Sequence, residues 1–167
     1  LEVAEVENLF CTKEILEIVS NRLARDPAAD FQTVSNTVFS RLQSELETQV
    51  SLRVSSEVKF QLNMFDASQK GVNDINSALQ SLVANIDVSQ IYSETNTLFS
   101  EALQNRDYKK LLELYNRKSL SSQVSNSLGL ANGSLPETVV RLVRGDCKEQ
   151  IAKALKPYFG KFQQHMA

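Results

Sequence analysis

The longest hydrophobic pattern in the chain is a stripe of apolar residues that recurs every three or four positions across residues 31–58. Its members are Phe31, Val34, Val38, Leu42, Leu46, Val50, Val54 and Val58. This spacing is that of one face of an α-helix, and at 1.5 Å per residue the helix would be about 50 Å long. A single narrow apolar face needs a partner helix, so we predict either a coiled-coil-like arm or one side of a helical hairpin.

Two shorter apolar patterns after this stripe supply the returning half of such a hairpin. The first contains Ile75, Leu79, Leu82 and Val83, and the second contains Ile91, Leu98, Phe99 and Leu103. Gly71 marks the turn that precedes them, and Asp87 is a helix-capping residue type between them. We therefore predict two returning helices with a break near Asp87.

A shorter helix is predicted ahead of the long one. Thr12 is its expected cap, and Pro27 is its expected end. Its apolar positions are Ile15, Leu16, Ile18, Val19 and Leu23. Asp30 is then the predicted cap of the long helix.

Short helices are predicted from Asp107 onward, because boundary residues become frequent there. Asp107 is expected to cap a helix over residues 108–115, and a second helix over residues 120–128 should stop at Gly129. These elements form the first part of a predicted C-terminal bundle.

The rest of that bundle begins with the strongest local pattern in the chain. Residues 134–137 combine a capping Ser, a Pro early in the helix and a Glu at the spacing of a capping box. This helix should end at Gly145. Asp146 is the predicted cap of a final helix that runs to about Leu155 and is closed by Pro157.

The opening residues 1–7 alternate apolar and polar side chains, which is the period of a β-strand, although Glu-rich strands are disfavoured. Because the chain begins with Leu1, we interpret residues 1–10 as a strand or junction remnant of a missing N-terminal domain. The fold prediction is therefore mostly all-α, with a long-helix arm over residues 11–106 and a bundle of short helices over residues 107–167.

Composition agrees with a helical, cytoplasmic protein. The 167 residues include only 5 Gly and 3 Pro. Cys11 and Cys147 are too few for a disulfide framework and, with His165, too scattered for zinc. No apolar run approaches the roughly 20 residues that cross a membrane, so we expect no membrane partner.

The net charge of −2 conceals an uneven distribution. Residues 1–107 hold 8 Lys/Arg and 16 Asp/Glu, whereas residues 108–167 hold 10 Lys/Arg and 4 Asp/Glu. The basic C-terminal third could bind nucleic-acid phosphates or could be an ordinary solvated surface. The candidate nucleic-acid-binding residues are Arg117, Lys118, Arg144 and Lys148.

Motifs for autonomous catalysis are missing from the sequence. It contains neither a GxxxxGK[ST] phosphate loop nor a GxGxxG turn. The single histidine, His165, lies two residues from the end, so no embedded histidine can activate a Ser or Cys nucleophile. We therefore assign no catalytic residue and no cofactor to the chain alone.

Acidic residues at the N-terminus are the remaining chemical candidates. Glu2, Glu5 and Glu7 precede Asn8, and carboxylates at the end of a strand can hold Mg²⁺ together with substrate phosphates. A solvated strand end explains the same residues, and residue type alone favours that interpretation. Glu5 and Glu7 are the candidate metal ligands.

Two sets of short motifs lie towards the ends of the chain. The first is residues 5–10, Glu-Val-Glu-Asn-Leu-Phe. The second comprises residues 115–120, the Leu-Gly-Leu turn at residues 128–130 and the Leu-Lys-Pro-Tyr-Phe ending at residues 155–159. Together they resemble the bacterial Toprim-like family that includes overcoming-lysogenization-defect nucleases and their ATPase-linked relatives in DNA metabolism and phage defence.

This resemblance implies that a missing N-terminal part supplies an ABC-type ATPase, a Toprim nuclease core, or both. Glu7, or alternatively Glu5, would then correspond to a late acidic ligand of Mg²⁺ in the parent protein. The chain contains no DxD motif, so a two-metal nuclease site would be incomplete without the missing part.

Three functional hypotheses follow. The first is a non-catalytic interaction or scaffold domain, in which Val50, Val54 and Val58 of the arm dock a protein partner or a second copy. The second is a contribution of Glu7, with Arg117 and Lys118, to a nuclease site completed elsewhere. The third is nucleic-acid binding by the basic C-terminal third.

Overall fold

The computed structural model describes residues 1–130 and 134–165, with side chains described for residues 1–130 and 135–160. Within these ranges the chain is all-α and contains no β-strand, which confirms the predicted fold class. The α-helices are α1 (Lys13–Arg22), α2 (Pro27–Leu62), α3 (Val72–Ala84), α4 (Val88–Gln104), α5 (Tyr108–Leu114), α6 (Leu120–Ser127), α7 (Ser134–Arg144) and α8 (Lys148–Leu155). Two 3₁₀ segments cover Val6–Cys11 and Lys156–His165.

The chain folds into two compact units. Unit 1 comprises Leu1–Ser44 and Ala102–Ala167, and unit 2 comprises Glu45–Glu101. The arm predicted over residues 11–106 is therefore divided between the two units. Helices α2 and α4 each contribute residues to both.

The long helix and the break after it agree with the prediction. Helix α2 has 36 residues, or about 54 Å at 1.5 Å per residue. Gly71 is the residue before α3, and the Asp87 carboxylate accepts a hydrogen bond of 2.9 Å from the backbone N–H of Gln90 at the start of α4. The local spacing of apolar and capping residues was sufficient to predict these elements.

The predicted start of the long helix was wrong by one turn. Pro27 opens α2 instead of ending α1, because proline is tolerated in the first turn of a helix. The carboxylate of Asp26 accepts hydrogen bonds from the N–H groups of Ala28 and Ala29 and is the cap. Asp30, predicted as the cap, lies inside the helix.

Asp30 instead belongs to a buried polar network in unit 1. Its carboxylate accepts a hydrogen bond of 2.8 Å from the Ser20 hydroxyl and pairs with the Arg25 guanidinium at 2.7 Å. Arg25 also donates to the backbone carbonyl of Leu128. The charge of this nearly buried carboxylate is thus compensated, and the network ties α1, α2 and the end of α6 together.

The predicted boundaries of the short helices were right at α5 and α6. Asp107 accepts a hydrogen bond of 2.9 Å from the N–H of Lys110 and caps α5. Gly129 has a φ of +65°, a left-handed conformation that favours glycine, and it ends α6. Helix α7 also begins at Ser134 and ends before Gly145 as predicted. The capping-box contacts of the Ser134 side chain lie outside the described residues.

The predicted cap of the last helix was wrong, whereas its predicted end was right. Asp146 does not cap α8, because its carboxylate pairs with Arg22 of α1, and the residue before the helix is Cys147. Helix α8 ends at Leu155, as predicted. Pro157 lies beyond that end, in the 3₁₀ segment Lys156–His165, whose backbone departs from helical geometry at Gly160.

The predicted strand at the N-terminus is also wrong. Residues 1–5 adopt no regular structure, and Val6–Cys11 form a 3₁₀ segment. The backbone N–H groups of Glu2 and Ala4 donate to the carbonyls of Tyr158 and Leu112 at 2.8 and 2.9 Å. These donors are thus used by the helical part of unit 1, in place of pairing with a neighbouring strand.

The core of unit 1 joins the N-terminal segment to the short helices. Tyr108 is central to it, since its ring makes an edge contact with Phe31 at a centroid distance of 5.1 Å and its hydroxyl donates to the carbonyl of Cys11 at 2.9 Å. Other fully buried core side chains are Ile15, Leu16, Val34, Leu111, Leu112, Tyr115, Leu120, Leu128 and Leu135. Residues from both ends of the sequence therefore belong to one core.

Unit 2 has a small core. Its buried side chains are Gln49, Val50, Val54, Thr95 and Phe99. From residue 55 to residue 94 no side chain is buried. The whole of α3 and the flanking parts of α2 and α4 therefore have no core of their own.

Candidate functional site

The most exposed apolar surface among the described helices is on α3. Val72, Ile75, Leu79 and Val83 are 75%, 41%, 46% and 53% exposed, and their spacing of three and four residues places them on one face of the helix. We call these four residues the α3 stripe. An amphipathic helix normally buries such a face, but α3 has no buried residue.

The stretch of sequence that contains the α3 stripe carries few charges. Between residues 67 and 93 only Lys70, Asp74 and Asp87 are charged. The remaining polar positions of α3 are Asn73, Asn76, Ser77, Gln80 and Ser81. Further exposed apolar side chains occur in the adjoining parts of unit 2, at Phe60, Leu62, Met64, Val88 and Tyr92.

The predicted interaction residues of the arm have a different environment. Val50 is fully buried and Val54 is 7% exposed, while Val58 is half-buried. The first two therefore contribute to the core of unit 2 and present little surface to a partner. The sequence pattern located an apolar face correctly but could not distinguish a covered part from an uncovered one.

The N-terminal acidic residues flank a buried asparagine. Glu5 and Glu7 are partly exposed, whereas Asn8 is fully buried. The Asn8 amide donates hydrogen bonds of 3.1 and 3.0 Å to the carbonyls of Leu112 and Tyr115, and its oxygen has no hydrogen-bond partner. The segment that carries Glu7 is thus fixed to the end of α5.

These carboxylates do not form a complete metal site by themselves. In the part of the chain that the structure describes, no group of three or more His, Cys, Asp or Glu residues could hold a metal ion. Glu2, the third acidic residue of the cluster, pairs with Lys109 at 3.3 Å. Glu5 and Glu7 could supply at most part of a ligand set.

Tyr158, which the sequence indicated as part of a motif but not as a site residue, lies near this acidic segment. The Tyr158 hydroxyl donates a hydrogen bond of 2.9 Å to the Glu14 carboxylate. Burial raises the pKa of the Tyr158 phenol well above its ordinary value, and the hydrogen bond to Glu14 raises it further. The phenol is therefore a neutral donor that links the C-terminal region to α1.

The four candidate nucleic-acid-binding residues lie at two places in unit 1. Arg117 and Lys118 precede α6, and the Arg117 guanidinium donates to the Ser119 hydroxyl at 3.1 Å. Arg144 ends α7 and Lys148 begins α8, both with exposed side chains. The four cations thus lie in two segments of the chain, ahead of α6 and around the connection between α7 and α8.

A polar groove of about 760 Å³ lies between α2 and α6 within unit 1. Five side chains from α2, Arg41 among them, and three from α6 line it. The lining contains hydroxyl and amide groups but no carboxylate. No motif in the sequence indicated this groove, although the α2 residues that line it recur at helical spacing beside the apolar stripe.

Comparison with protein-family models, with curated proteins and with solved structures finds no match for this chain. No helix within the described residues is both long enough and apolar enough to span a membrane.

Proposed function

We propose that this chain is a non-catalytic helical interaction domain of a larger protein, and that the α3 stripe is its docking surface. The observation that carries this proposal is a 13-residue amphipathic helix without one buried side chain. Proteins rarely leave a contiguous apolar face uncovered unless it binds something.

Energetics support the same proposal. Covering one fully exposed Val, Leu or Ile side chain contributes about 1.5–3 kcal/mol, and the four residues of the stripe are each 41% exposed or more. A helix of this length is marginal in water without tertiary packing. A partner that covers the stripe would therefore stabilise both the complex and α3 itself.

The larger protein that we propose is of the Toprim or ATPase-linked type, acting in bacterial DNA metabolism or phage defence. The support is the arrangement of the motif residues that carry this resemblance. The Asn8 amide from the first motif donates a hydrogen bond to the carbonyl of Tyr115 from the second set. The motifs from the two ends are therefore in contact within one unit.

Site-specific photo-crosslinking in cells tests the docking role. A photoreactive amino acid at Leu79 should give a crosslinked protein adduct when the full-length parent protein is expressed. The same group at Ser81 is the control, because Ser81 is exposed on the opposite side of α3. Absence of any adduct from Leu79, or equal adducts from both positions, would remove the docking proposal.

A second candidate function is the contribution of Glu7 to a metal-dependent nuclease site in the parent protein. The fixed position of the segment around Glu7 supports this role. Asn8, the next residue, holds that backbone against α5. The carboxylate would provide one oxygen ligand to Mg²⁺, with the other ligands coming from outside this chain. Glu7→Gln in the full-length protein should abolish Mg²⁺-dependent DNA cleavage without loss of folding. Undiminished cleavage would exclude this role.

A further inference from the structure

We propose that the partner of the α3 stripe is a second copy of the same chain, with two α3 helices packed antiparallel across a two-fold axis near Leu79. This inference rests on the proposed docking role of α3 and specifies its occupant.

The scarcity of charge disfavours partners that are recognised by charge. Nucleic acids and anionic membrane surfaces are bound through several Lys or Arg residues, whereas Lys70 is the only cation between residues 67 and 93. A strongly basic protein would find only Asp74 and Asp87 there. A second copy of the stripe is itself apolar and has few charges, so it matches the stripe in hydrophobicity and in charge.

The spacing within α3 suits pairing with an identical helix. Val72, Ile75 and Leu79 follow one another at three and four residues, as the core positions of paired helices do. Across a two-fold axis the same surface of each copy meets its counterpart, so an apolar stripe covers an apolar stripe. With Leu79 at the axis, Ile75 of one copy faces Val83 of the other.

The charged flanks distinguish between the two directions of pairing. Lys70 lies nine residues before Leu79, and Asp87 lies eight residues after it. Lys70 precedes α3 by two residues and Asp87 follows it by three, so antiparallel pairing about Leu79 places the Lys70 end of each helix beside the Asp87 end of the other. Parallel pairing would instead place Lys70 against Lys70 and Asp87 against Asp87, which is unfavourable.

Measurement of the mass of the 167-residue chain by light scattering and sedimentation tests the second copy. We expect a concentration-dependent mass that approaches twice that of the monomer. Leu79→Asp should raise the dimer dissociation constant by at least about a hundredfold, because two leucines leave the interface in each dimer. Ser81→Asp adds the same charge on the opposite side of α3 and should leave the dissociation constant within about threefold, since exposed substitutions change stability little.

Disulfide crosslinking tests the direction of pairing without relying on a disruptive variant. Leu79→Cys should crosslink to itself, because a disulfide requires Cα atoms within about 7 Å. Ile75→Cys alone should not, since antiparallel pairing separates the two copies of this residue along the helix axis. A mixture of Ile75→Cys and Val83→Cys chains should form a mixed dimer. Cys11 and Cys147 are buried and serve as the unreactive background.

Each unexpected result has a definite meaning. A monomer at all concentrations overturns the second-copy proposal, and a Leu79 photo-adduct with a different protein would then leave the docking role intact. A dimer that persists in Leu79→Asp places the interface elsewhere and also overturns the proposal. Self-crosslinking of Ile75→Cys with no mixed product shows parallel pairing and overturns the antiparallel arrangement.

Discussion

The side-chain amide of Asn8 donates a hydrogen bond of 3.0 Å to the backbone carbonyl of Tyr115, 107 positions further along the chain. Tyr115 is the residue that follows α5, where backbone carbonyls lack partners within the helix. A second bond from the same amide reaches Leu112. Asn8 therefore caps α5 from a distant part of the sequence and attaches the N-terminal segment to unit 1.

Removal of this amide should destabilise the protein. Asn8→Ala leaves the carbonyls of Leu112 and Tyr115 without their donor in a buried environment, so we expect a loss of about 2–4 kcal/mol in the free energy of unfolding. Urea denaturation measures it. Asn21→Ala is the matched control, because Asn21 is exposed on α1 and should change the value by less than about 0.5 kcal/mol. Equal effects of the two variants would contradict the capping role.

The role of Asn8 illustrates what the sequence could not predict. The sequence pattern marked Asn8 only as the residue that follows Glu7, whereas its partners lie more than a hundred residues away and leave no local pattern. Caps such as Asp87 and Asp107 were predictable because a capping side chain bonds to a backbone group three residues ahead. Local interactions can be inferred from spacing, but interactions between distant segments require the fold.

The long helix shows the same limit. Periodicity predicted α2 and the apolar pattern of α3, because both depend only on local spacing. It assigned the interface to Val50 and Val54, which the fold buries, and did not single out the α3 stripe, which the fold leaves exposed. Exposure depends on which elements pack together, and the sequence pattern does not contain that information.

Asp30 and Asp26 offer a comparison between a buried network and an exposed cap. Asp30→Ala removes the partner of both Ser20 and the Arg25 guanidinium, so it should cost about 3 kcal/mol or more. Asp26→Ala removes only the cap of α2 and should cost about 1 kcal/mol. Chemical denaturation of the two variants provides the measurement. A larger effect at Asp26 would show that the network contributes little.

Stability should decrease at alkaline pH because of Tyr108. Burial, first of all, raises the pKa of the Tyr108 phenol well above its ordinary value of 10.0. The folded state therefore keeps a proton that the unfolded chain releases, so the stabilisation is complete below pH 10.0 and is lost as the pH rises further. Tyr108→Phe should reduce this decline while costing about 1 kcal/mol at neutral pH for the lost hydrogen bond to Cys11.

Urea denaturation at a series of pH values from neutral to alkaline is the appropriate measurement. Tyr92→Phe is the control, because Tyr92 is 45% exposed and should leave the pH dependence unchanged. Burial also raises the pKa of the Cys11 thiol, so part of the decline should remain in Tyr108→Phe. An identical decline in the wild type and in Tyr108→Phe would contradict the assignment to this phenol.

Nucleic-acid binding by the basic C-terminal third should be weak and sensitive to salt. The candidate cations come two from the segment ahead of α6 and two from the adjacent ends of α7 and α8, so each pair can neutralise only a few phosphates. Fluorescence anisotropy with a labelled oligonucleotide should show affinity falling between about 50 and 200 mM salt. Lys118→Ala and Lys148→Ala should each reduce the salt slope by about 1. Lys59→Ala in unit 2 is the control. An affinity that does not change with salt concentration would exclude an interaction with phosphates.

The rate at which the amide protons of α3 exchange with solvent should depend on the protein concentration. In dilute solution they should exchange faster than those of α1, because α1 contains four buried residues and α3 contains none. At concentrations where two copies associate, cover of the α3 stripe should slow exchange over residues 72–84 and leave α1 unchanged. Hydrogen exchange followed by mass spectrometry at two concentrations measures both segments in one sample. Strong and concentration-independent protection of α3 would mean that its helix is stable without a partner, contrary to the absence of a core around it.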